Sequence, residues 1–305
     1  MKDRLRRSID AFLRKSPAHN VFSWRASRKL AVLAYHAIED PERFEKHADL
    51  IRRDMAALSQ EEAVEAIRGV RRRLPRRAVL LTFDDGHRSV LEVAMPILRE
   101  RGLPAVVFVV PGLLDTTRML WTAEVAWLAT VSGSHASADE VGRIVRSFKR
   151  MPDEERVSAV EQWRSKLGVE PPSVVQLRRK DLPTLESAGI AVGNHTLTHP
   201  CLSRCTDAKI RHEVQEAHDV IATAIGHHPT TFAYPDGDCD DRVKRIVETI
   251  GYEAAFLFDH RLSRTPAPDR LAVSRIRVNS RASTDRFQIL LNGLHSTAHR
   301  LRGGR

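Results

Sequence analysis

The segment from Ala78 to Gly86, with the sequence AVLLTFDDG, joins an apolar run to two adjacent carboxylates. A continuous apolar run is typical of a strand buried on both faces, as the strands of parallel sheets are. Asp84 and Asp85 follow this strand, at the end where α/β proteins bind their ligands. Neighbouring carboxylates repel each other unless a cation or a shared proton relieves them. The segment therefore predicts a parallel strand with a charged site at its end, and the alternative is an ordinary Asp-Gly turn.

A pair of histidines follows a second apolar run, much later in the chain. His195 and His199 come after the run 190–192, and Pro200 directly follows the second histidine. Proline disfavours helix at the residue before it, so we expect the pair at a corner between a strand and a loop. Two histidines and one carboxylate form the ligand set of a catalytic metal with open positions. The alternative for the pair is a surface or capping role.

The two segments together resemble the first two motifs of NodB-type polysaccharide deacetylases, which form carbohydrate esterase family four. The first motif is similar to residues 82–86, TFDDG. The second, a His-Ser/Thr-x-x-His run, is similar to residues 195–199, HTLTH. The order and the separation of the motifs fit the family, and the resemblance covers roughly residues 30–295.

The resemblance implies a role for each of these side chains. Asp84 would be the general base, and Asp85, His195 and His199 would hold one divalent metal ion, zinc in most members. The residue types suit this chemistry, because a metal polarises an amide carbonyl and lowers the pKa of a bound water. A free carboxylate beside the metal can accept that water's proton. The implied activity is hydrolysis of the N-acetyl group of a sugar, in a polysaccharide or a glycolipid precursor.

A third motif of the family is present with two departures. The family motif is often written Arg-Pro-Pro-Tyr-Gly, and residues 231–237, TFAYPDG, resemble it. Ala233 stands in the place of the Arg, and Asp236 stands in the place of the Tyr. By resemblance, Tyr234 and Pro235 form a wall of the substrate site, and a nearby backbone N–H helps to stabilise the oxyanion.

The missing arginine normally orients the base, and Arg275 is our candidate to replace it. It lies in the predicted strand 271–278. Because strand side chains alternate, Val273, Arg275 and Arg277 share one face of this strand. The alternative is that both arginines face the solvent.

The leaving amine also needs a general acid. The family often uses the histidine of a C-terminal Leu-x-x-His, but residues 291–295, LNGLH, have a different spacing. Residues 30–36, LAVLAYH, instead resemble the opening strand of a family branch whose motifs are circularly rearranged. In that branch an N-terminal histidine is the acid, so we favour His36 over His295. The alternative for His36 is an imidazole hydrogen-bonded at the end of a strand.

Alternating strand and helix patterns continue along the chain and predict the α/β class. The resemblance implies a distorted, incomplete (β/α)7 barrel. We expect a basic N-terminal arm at 1–29 and a deacetylase domain at 30–299, with a helical insertion at about 112–180 over the barrel mouth. Helical apolar stripes run from Phe44 to Leu58 and from Ile210 to Ile225, the second with Thr206 as its N-cap. The candidate strands are 30–36, 77–83, 105–110, 190–194, 230–234, 254–258 and 271–278.

The charge of the chain indicates the kind of partner it meets. The 305 residues carry a formal net charge of +10, which favours anionic partners such as a phosphorylated or lipid-linked sugar, an acidic polysaccharide or a membrane leaflet. Nucleic acid is not expected, because aromatic residues make up only 6% and no recognition motif is present.

The N-terminal sequence bears on location. No run of about 18 apolar residues is present that could span a membrane, and no apolar core follows the basic N-terminus to form a signal peptide. These features predict a cytoplasmic protein. Leu5, Ile9, Phe12 and Leu13 have helical spacing among basic residues. They predict an amphipathic helix that either contacts a membrane surface or packs on its own domain.

Two other functions fit the same residues. A different metal-dependent amidohydrolase would keep the metal ligands but act on a small amide in a closed pocket. A non-catalytic glycan-binding homologue would explain the missing arginine of the third motif and the displaced C-terminal histidine. The presence of Asp84 beside the metal ligands argues against this second alternative, because a pure binding protein needs no spare carboxylate.

Overall fold

The strands of this protein lie parallel in a single sheet, so their carboxyl ends meet at one face. The computed structural model describes residues 10, 12–14, 16–71, 73–133 and 137–294. The strand order is β7-β6-β5-β4-β3-β1-β8, and a short β2 pairs with β3. The strands are β1 (Ala31–Tyr35), β2 (Ala56–Ala57), β3 (Ala78–Phe83), β4 (Ala105–Val109), β5 (Ile190–Asn194), β6 (Thr231–Ala233), β7 (Ala254–Phe256) and β8 (Ile276–Arg277).

The two ends of this sheet approach each other. A parallel bridge between Phe256 and Val273 links β7 to the segment that precedes β8. The sheet therefore forms a half-barrel surrounded by helices, which confirms the predicted distorted, incomplete (β/α)7 barrel. The helices are α1 (Pro17–Ala26), α2 (Pro41–Asp54), α3 (Gln60–Arg68), α4 (Met95–Arg101), α5 (Trp121–Ser132), α6 (Ala138–Phe148), α7 (Asp153–Leu167), α8 (Leu182–Ser187), α9 (Asp207–Ile225), α10 (Asp241–Ile250) and α11 (Thr284–Leu291).

Strand β8 is shorter than the predicted strand 271–278. The first part of that segment bonds to β7, because Val273 donates to the carbonyl of Ala255 and accepts from the N–H of Leu257. The chain then crosses to the other end of the sheet, where Arg277 pairs with Ala34 of β1. This crossing carries the segment between the two ends of the half-barrel.

The predicted helical stripe from Phe44 to Leu58 continues past the end of a helix. Helix α2 ends at Asp54, and Met55 has an extended backbone with φ −130° and ψ 159°. The next two residues form β2 beside β3, so Leu58 is buried from a loop and not from the helix. The second predicted stripe is correct, since α9 covers it and the Thr206 side chain caps its first turn.

Three helices, α5 to α7, lie between β4 and β5, within the range of the predicted insertion. They have a small apolar cluster of their own, separate from the core around the sheet. Trp163 stacks on Phe148 with ring centroids 5.7 Å apart, so this tryptophan packs inside the insertion. The buried members of the cluster are Trp121, Val125, Leu128, Phe148, Val160 and Cys201.

The predicted N-terminal arm is described only in part. Leu5 and Ile9 lie outside the described residues, while Phe12 is 74% exposed. None of the described helices combines the length and the apolar character needed to cross a membrane. Membrane contact by the arm and a cytoplasmic location both stay predictions.

Candidate metal and catalytic site

A cavity of about 210 Å³ lies at the carboxyl end of the sheet. The ends of β3 and β5 supply most of its polar side chains, because their backbones stay bonded to the neighbouring strands beyond the last strand residue. Asp84 N–H donates to Tyr35 O at 2.9 Å, and His195 N–H donates to Val109 O at 3.0 Å. The cavity is lined by all six residues predicted to act in catalysis or metal binding: His36, Asp84, Asp85, His195, His199 and Arg275.

Asp85, His195 and His199 form a compact set of metal-ligand atoms, all within 4.8 Å of one another. Oδ1 of Asp85 lies 3.6 Å from Nε2 of His195 and 3.5 Å from Nε2 of His199. This oxygen is buried and has no hydrogen-bond partner among the described residues, an arrangement that costs free energy unless a cation satisfies it. One carboxylate and two imidazoles suit zinc and similar divalent ions, so these residues fit the predicted metal.

The electrostatics of the histidines also fit a metal. Burial, together with the charge of His195, lowers the pKa of His199 well below its usual value. His199 is therefore neutral, which is the form that binds a metal. Nδ1 of His195 bonds to Ala233 O at 2.7 Å, which leaves its Nε2 free to face Asp85. In metal-binding histidines, a hydrogen bond from the ring nitrogen that does not bind the metal fixes the orientation of the ring.

The two loops that carry the candidate metal ligands, after β3 and after β5, have an unusual backbone. Asp85, Thr196 and His199 all have positive φ, at 72°, 66° and 61°. Non-glycine residues adopt this conformation at a cost, and the surrounding structure must hold them there. Local hydrogen bonds do so: Thr196 N–H donates to Asn194 Oδ1 at 2.7 Å, and His199 N–H donates to Thr196 Oγ1 at 3.0 Å.

Two residues that were not predicted from the sequence, Glu213 and Trp121, form hydrogen bonds to the loop 195–199 from neighbouring helices. Glu213 of α9 is fully buried and accepts from the N–H and the hydroxyl of Thr198 at 2.8 and 2.7 Å. Trp121, the first residue of α5, donates from Nε1 to the carbonyl of His199 at 2.7 Å. Helix α5 therefore contacts the backbone of a candidate metal ligand.

Asp84 is held by Arg275 in a buried, bidentate ion pair. Nη1 and Nη2 of Arg275 donate to Oδ1 and Oδ2 of Asp84 at 2.7 and 2.9 Å. The same guanidinium donates to Leu257 O at 2.8 Å and to Thr82 Oγ1 at 3.2 Å. Arg275 is 0% exposed, so the alternative that both arginines face the solvent is wrong for Arg275, which instead contacts the carboxylate that the missing arginine of the third motif would orient.

The same pair fixes the charge of Asp84. Burial alone would raise the pKa of this carboxyl, but the charges of Arg275, His195 and His36 and the hydrogen bonds of Arg275 outweigh it and lower the pKa to about 2. Asp84 is thus ionised at neutral pH. Its low pKa also makes it a weak base.

The sequence family is settled by a direct match. A sequence model described as polysaccharide deacetylase matches residues 71–255. The chain belongs to the polysaccharide deacetylase family. The matched range contains Asp84, Asp85, His195 and His199, whereas His36 and Arg275 lie outside it. The resemblance predicted from the two motifs is therefore confirmed.

Among curated proteins, this family member is similar to chitin deacetylase 1 of Cryptococcus neoformans var. grubii. The two are 37% identical over 79 residues, which make up 26% of this chain. The matched stretch spans only 17% of the length of that relative.

Solved structures of deacetylases share the fold of this family member. The deacetylase PplD of Streptococcus pyogenes, solved in complex with acetate, has a TM-score of 0.61 and 20% identity, with 88% of this chain and 97% of that chain covered. IcaB of Ammonifex degensii has a TM-score of 0.60 and 20% identity, with 86% and 96% covered. At these identities the likeness establishes the fold.

The third motif of this deacetylase-family chain differs from the prediction. Tyr234 is 0% exposed and its hydroxyl donates to Leu271 O at 3.0 Å, so its ring lies in the core and does not form a wall of the cavity. Pro235 is buried as well. Asp236 instead lines the cavity, where it forms an ion pair with Lys149, which follows α6.

The candidate general acid lies at the end of β1. His36 lines the cavity, and its ring contacts Phe258 edge-on with centroids 5.7 Å apart. Its charge is one of those that lower the pKa of Asp84, so the two side chains are close enough to interact electrostatically. His295 lies outside the described residues. The choice of His36 over His295 stays a prediction.

Proposed function

We propose that this protein hydrolyses the N-acetyl group of an N-acetylated sugar, in a polysaccharide or a glycolipid precursor, with one divalent metal ion. Zinc is the favoured ion. The observation that carries the proposal is a single cavity that combines a metal-ligand set with a separate, ion-paired carboxylate. A binding protein would have no need for the second feature.

Asp85, His195 and His199 would hold the metal ion. A divalent ion supplies Lewis-acid chemistry when bound: it polarises the acetyl carbonyl and lowers the pKa of water. The ligand set contains three protein side chains, which is the number typical of a catalytic metal site. Ala233 O orients His195, and Trp121 and Thr196 hold the backbone of His199.

Asp84 is the general base of the proposal. Its oxygens accept one N–H each from Arg275, and a carboxylate oxygen has a second lone pair for a proton from the attacking water. Arg275 is a positioning residue, because it contacts Asp84 and keeps it ionised. The low pKa of Asp84 keeps this group in the carboxylate form that can accept a proton.

His36 is the general acid of the proposal. Amines are poor leaving groups, so the C–N bond breaks only when the nitrogen receives a proton. An imidazole suits this step near neutral pH. His36 enters the cavity at the end of β1 and Asp84 at the end of the neighbouring β3, so in the proposal His36 gives its proton to the leaving nitrogen while Asp84 accepts a proton from the attacking water.

A panel of substrates tests the proposal. Acetate release should be measured with N-acetylated oligosaccharides, a lipid-linked N-acetylhexosamine and small linear and cyclic amides. The proposal expects release from the sugars, and the Asp84→Asn protein should keep its metal while turnover falls by about 10²-fold or more. Near-normal turnover in that variant would assign the proton transfer to another group.

One observation favours the alternative of a small-amide hydrolase. The cavity of about 210 Å³ is smaller than the roughly 300 Å³ at which typical ligand pockets begin. Acetate or another acid released only from the small amides would establish this alternative. Metal binding without hydrolysis of any member of the panel would establish the non-catalytic homologue.

A further inference from the structure

Within the described part of the chain, the charged side chains that line the cavity all have a charged partner or belong to the metal-ligand set, with one exception. Asp84 pairs with Arg275, Asp236 pairs with Lys149, and Asp85 belongs to the metal-ligand set. Arg277 also lines the cavity and is exposed. Among the described residues its guanidinium has no hydrogen-bond or ion-pair partner, and its carbon lies 5.8 Å from the ring centroid of Phe258.

The charge balance of the cavity favours an anion. Three carboxylates and three Lys or Arg side chains line it, so their charges cancel before a metal is bound. A divalent ion would leave the cavity doubly positive. A metal at the reacting carbonyl would stabilise the developing oxyanion. Arg277 is therefore not needed for that charge and can meet another anionic group.

The position of Arg277 indicates which part of the substrate it meets. Arg277 pairs with Ala34 of β1, two residues before His36. His36 and Arg277 both contact Phe258, so these three side chains form one edge of the cavity. If His36 protonates the leaving amine, the sugar that carries this amine lies along the same edge. A guanidinium there faces the sugar and not the acetyl group.

We propose that Arg277 selects a sugar substrate that carries an anionic group, a phosphate or a carboxylate, close to its N-acetyl group. The proposal rests on the proposed deacetylase function and names its substrate class. Guanidinium donors match both anions through paired N–H groups. Phe258 stacks against the arginine and orients it, since an exposed cation–π contact is weak but directional.

The test compares three probes in the full-length protein loaded with zinc. They are N-acetylglucosamine 1-phosphate, a disaccharide of glucuronic acid and N-acetylglucosamine, and neutral chitobiose. We expect the wild-type protein to have a higher kcat/KM on at least one anionic probe than on chitobiose, and the identity of that probe distinguishes phosphate from carboxylate. Arg277→Gln should reduce this preference about tenfold, mainly through KM, as expected for one exposed charge-assisted hydrogen bond. Arg277→Lys should restore part of it.

Arg99→Gln is the matched control. Arg99 is an exposed residue of α4, so its replacement removes the same charge from the protein without touching the cavity, and it should leave the preference unchanged. An equal loss in Arg99→Gln would assign the preference to overall charge and overturn the proposal. A wild-type preference for chitobiose, or equal effects of Arg277→Gln on all three probes, would overturn it as well.

A binding measurement separates this proposal from the proposed function. Calorimetry with the two anionic probes uses Asp84→Asn protein, with and without Arg277→Gln, so that no turnover is required. Binding that depends on Arg277, without acetate release by the wild-type protein, would reject the deacetylase function and keep the anion site. Acetate release without Arg277-dependent binding would reject the anion site alone.

Discussion

Replacement of Arg275 by methionine is the sharpest test of how the site is built. The variant removes the two donors to Asp84, together with those to Leu257 O and Thr82 Oγ1. Methionine keeps much of the apolar stem, so the main loss is the charge. Asp84 would remain as a carboxylate that is only 2% exposed, without its counter-charge.

The structure sets the magnitude. Removal of one partner from a buried ion pair typically costs about 3–5 kcal/mol, because the remaining charge stays buried and unpaired. For a chain of this size we expect the melting temperature to fall by roughly 10 °C. The control is Arg281→Met, since Arg281 pairs with Glu39 at 3.1 Å with side chains 65% and 48% exposed. A pair on the surface is worth about 0–1 kcal/mol.

The assay is denaturant and thermal unfolding of the metal-free proteins, with the double variant Asp84→Asn/Arg275→Met included. Because the two residues share one pair, the double variant should lose clearly less stability than the sum of the single variants. A loss below about 1 kcal/mol for Arg275→Met, comparable with a surface pair, or strict additivity in the double variant, would refute the conclusion that this pair holds Asp84.

Three further predictions concern other parts of the molecule. His199→Ala should lose the metal and the activity together, and Trp121→Phe, which removes the hydrogen bond to the His199 carbonyl and part of the ring under Arg156, should weaken metal affinity by about tenfold; a metal titration of both variants checks this, and full metal retention in His199→Ala would remove His199 from the ligand set. His36→Ala should impair hydrolysis of amides more than that of activated esters, whose leaving groups need no proton; equal losses would exclude it as the acid. Burial lowers the pKa of His47 to about 4; because the folded pKa lies below the unfolded value, its contribution to stability is complete above pH 6.5 and is lost as the pH falls towards 4. The free energy of unfolding of His47→Phe should therefore change less between pH 6.5 and 4 than that of the wild-type protein. An unchanged pH dependence would contradict the lowered pKa of His47.

The sequence predicted those features that follow from short, regular patterns. Apolar runs followed by polar residues located β3 and β5, and the rule that parallel strands present their carboxyl ends together placed Asp84, Asp85 and the two histidines at one site. Alternation within 271–278 placed Arg275 on the same face as buried Val273, although only Ile276 and Arg277 form the strand.

Contacts between distant segments were not predictable in the same way. Trp121 bonds to His199 across 78 positions, and no local pattern indicates such a partner. Glu213 did leave a readable signal: it lies on the same helical face as Ile210, Val214 and Ala217, and a carboxylate within a buried stripe requires a partner. The error at Tyr234 has a different origin: in an extended segment Phe232 and Tyr234 point to the same face, and both side chains are buried.

The proposed reaction requires both one metal ion and Asp84. A metal titration with detection of acetate tests these two requirements together. The protein is freed of metal with a chelator and titrated with Zn²⁺ in the presence of an N-acetylglucosamine oligomer. We expect no acetate without metal, and a rate of acetate release that reaches its plateau at one equivalent of zinc. The Asp84→Asn protein should bind the same single equivalent of zinc, and its rate of acetate release should be lower by about 10²-fold or more. Acetate release that survives complete removal of the metal, or that needs no carboxylate at position 84, would contradict the account.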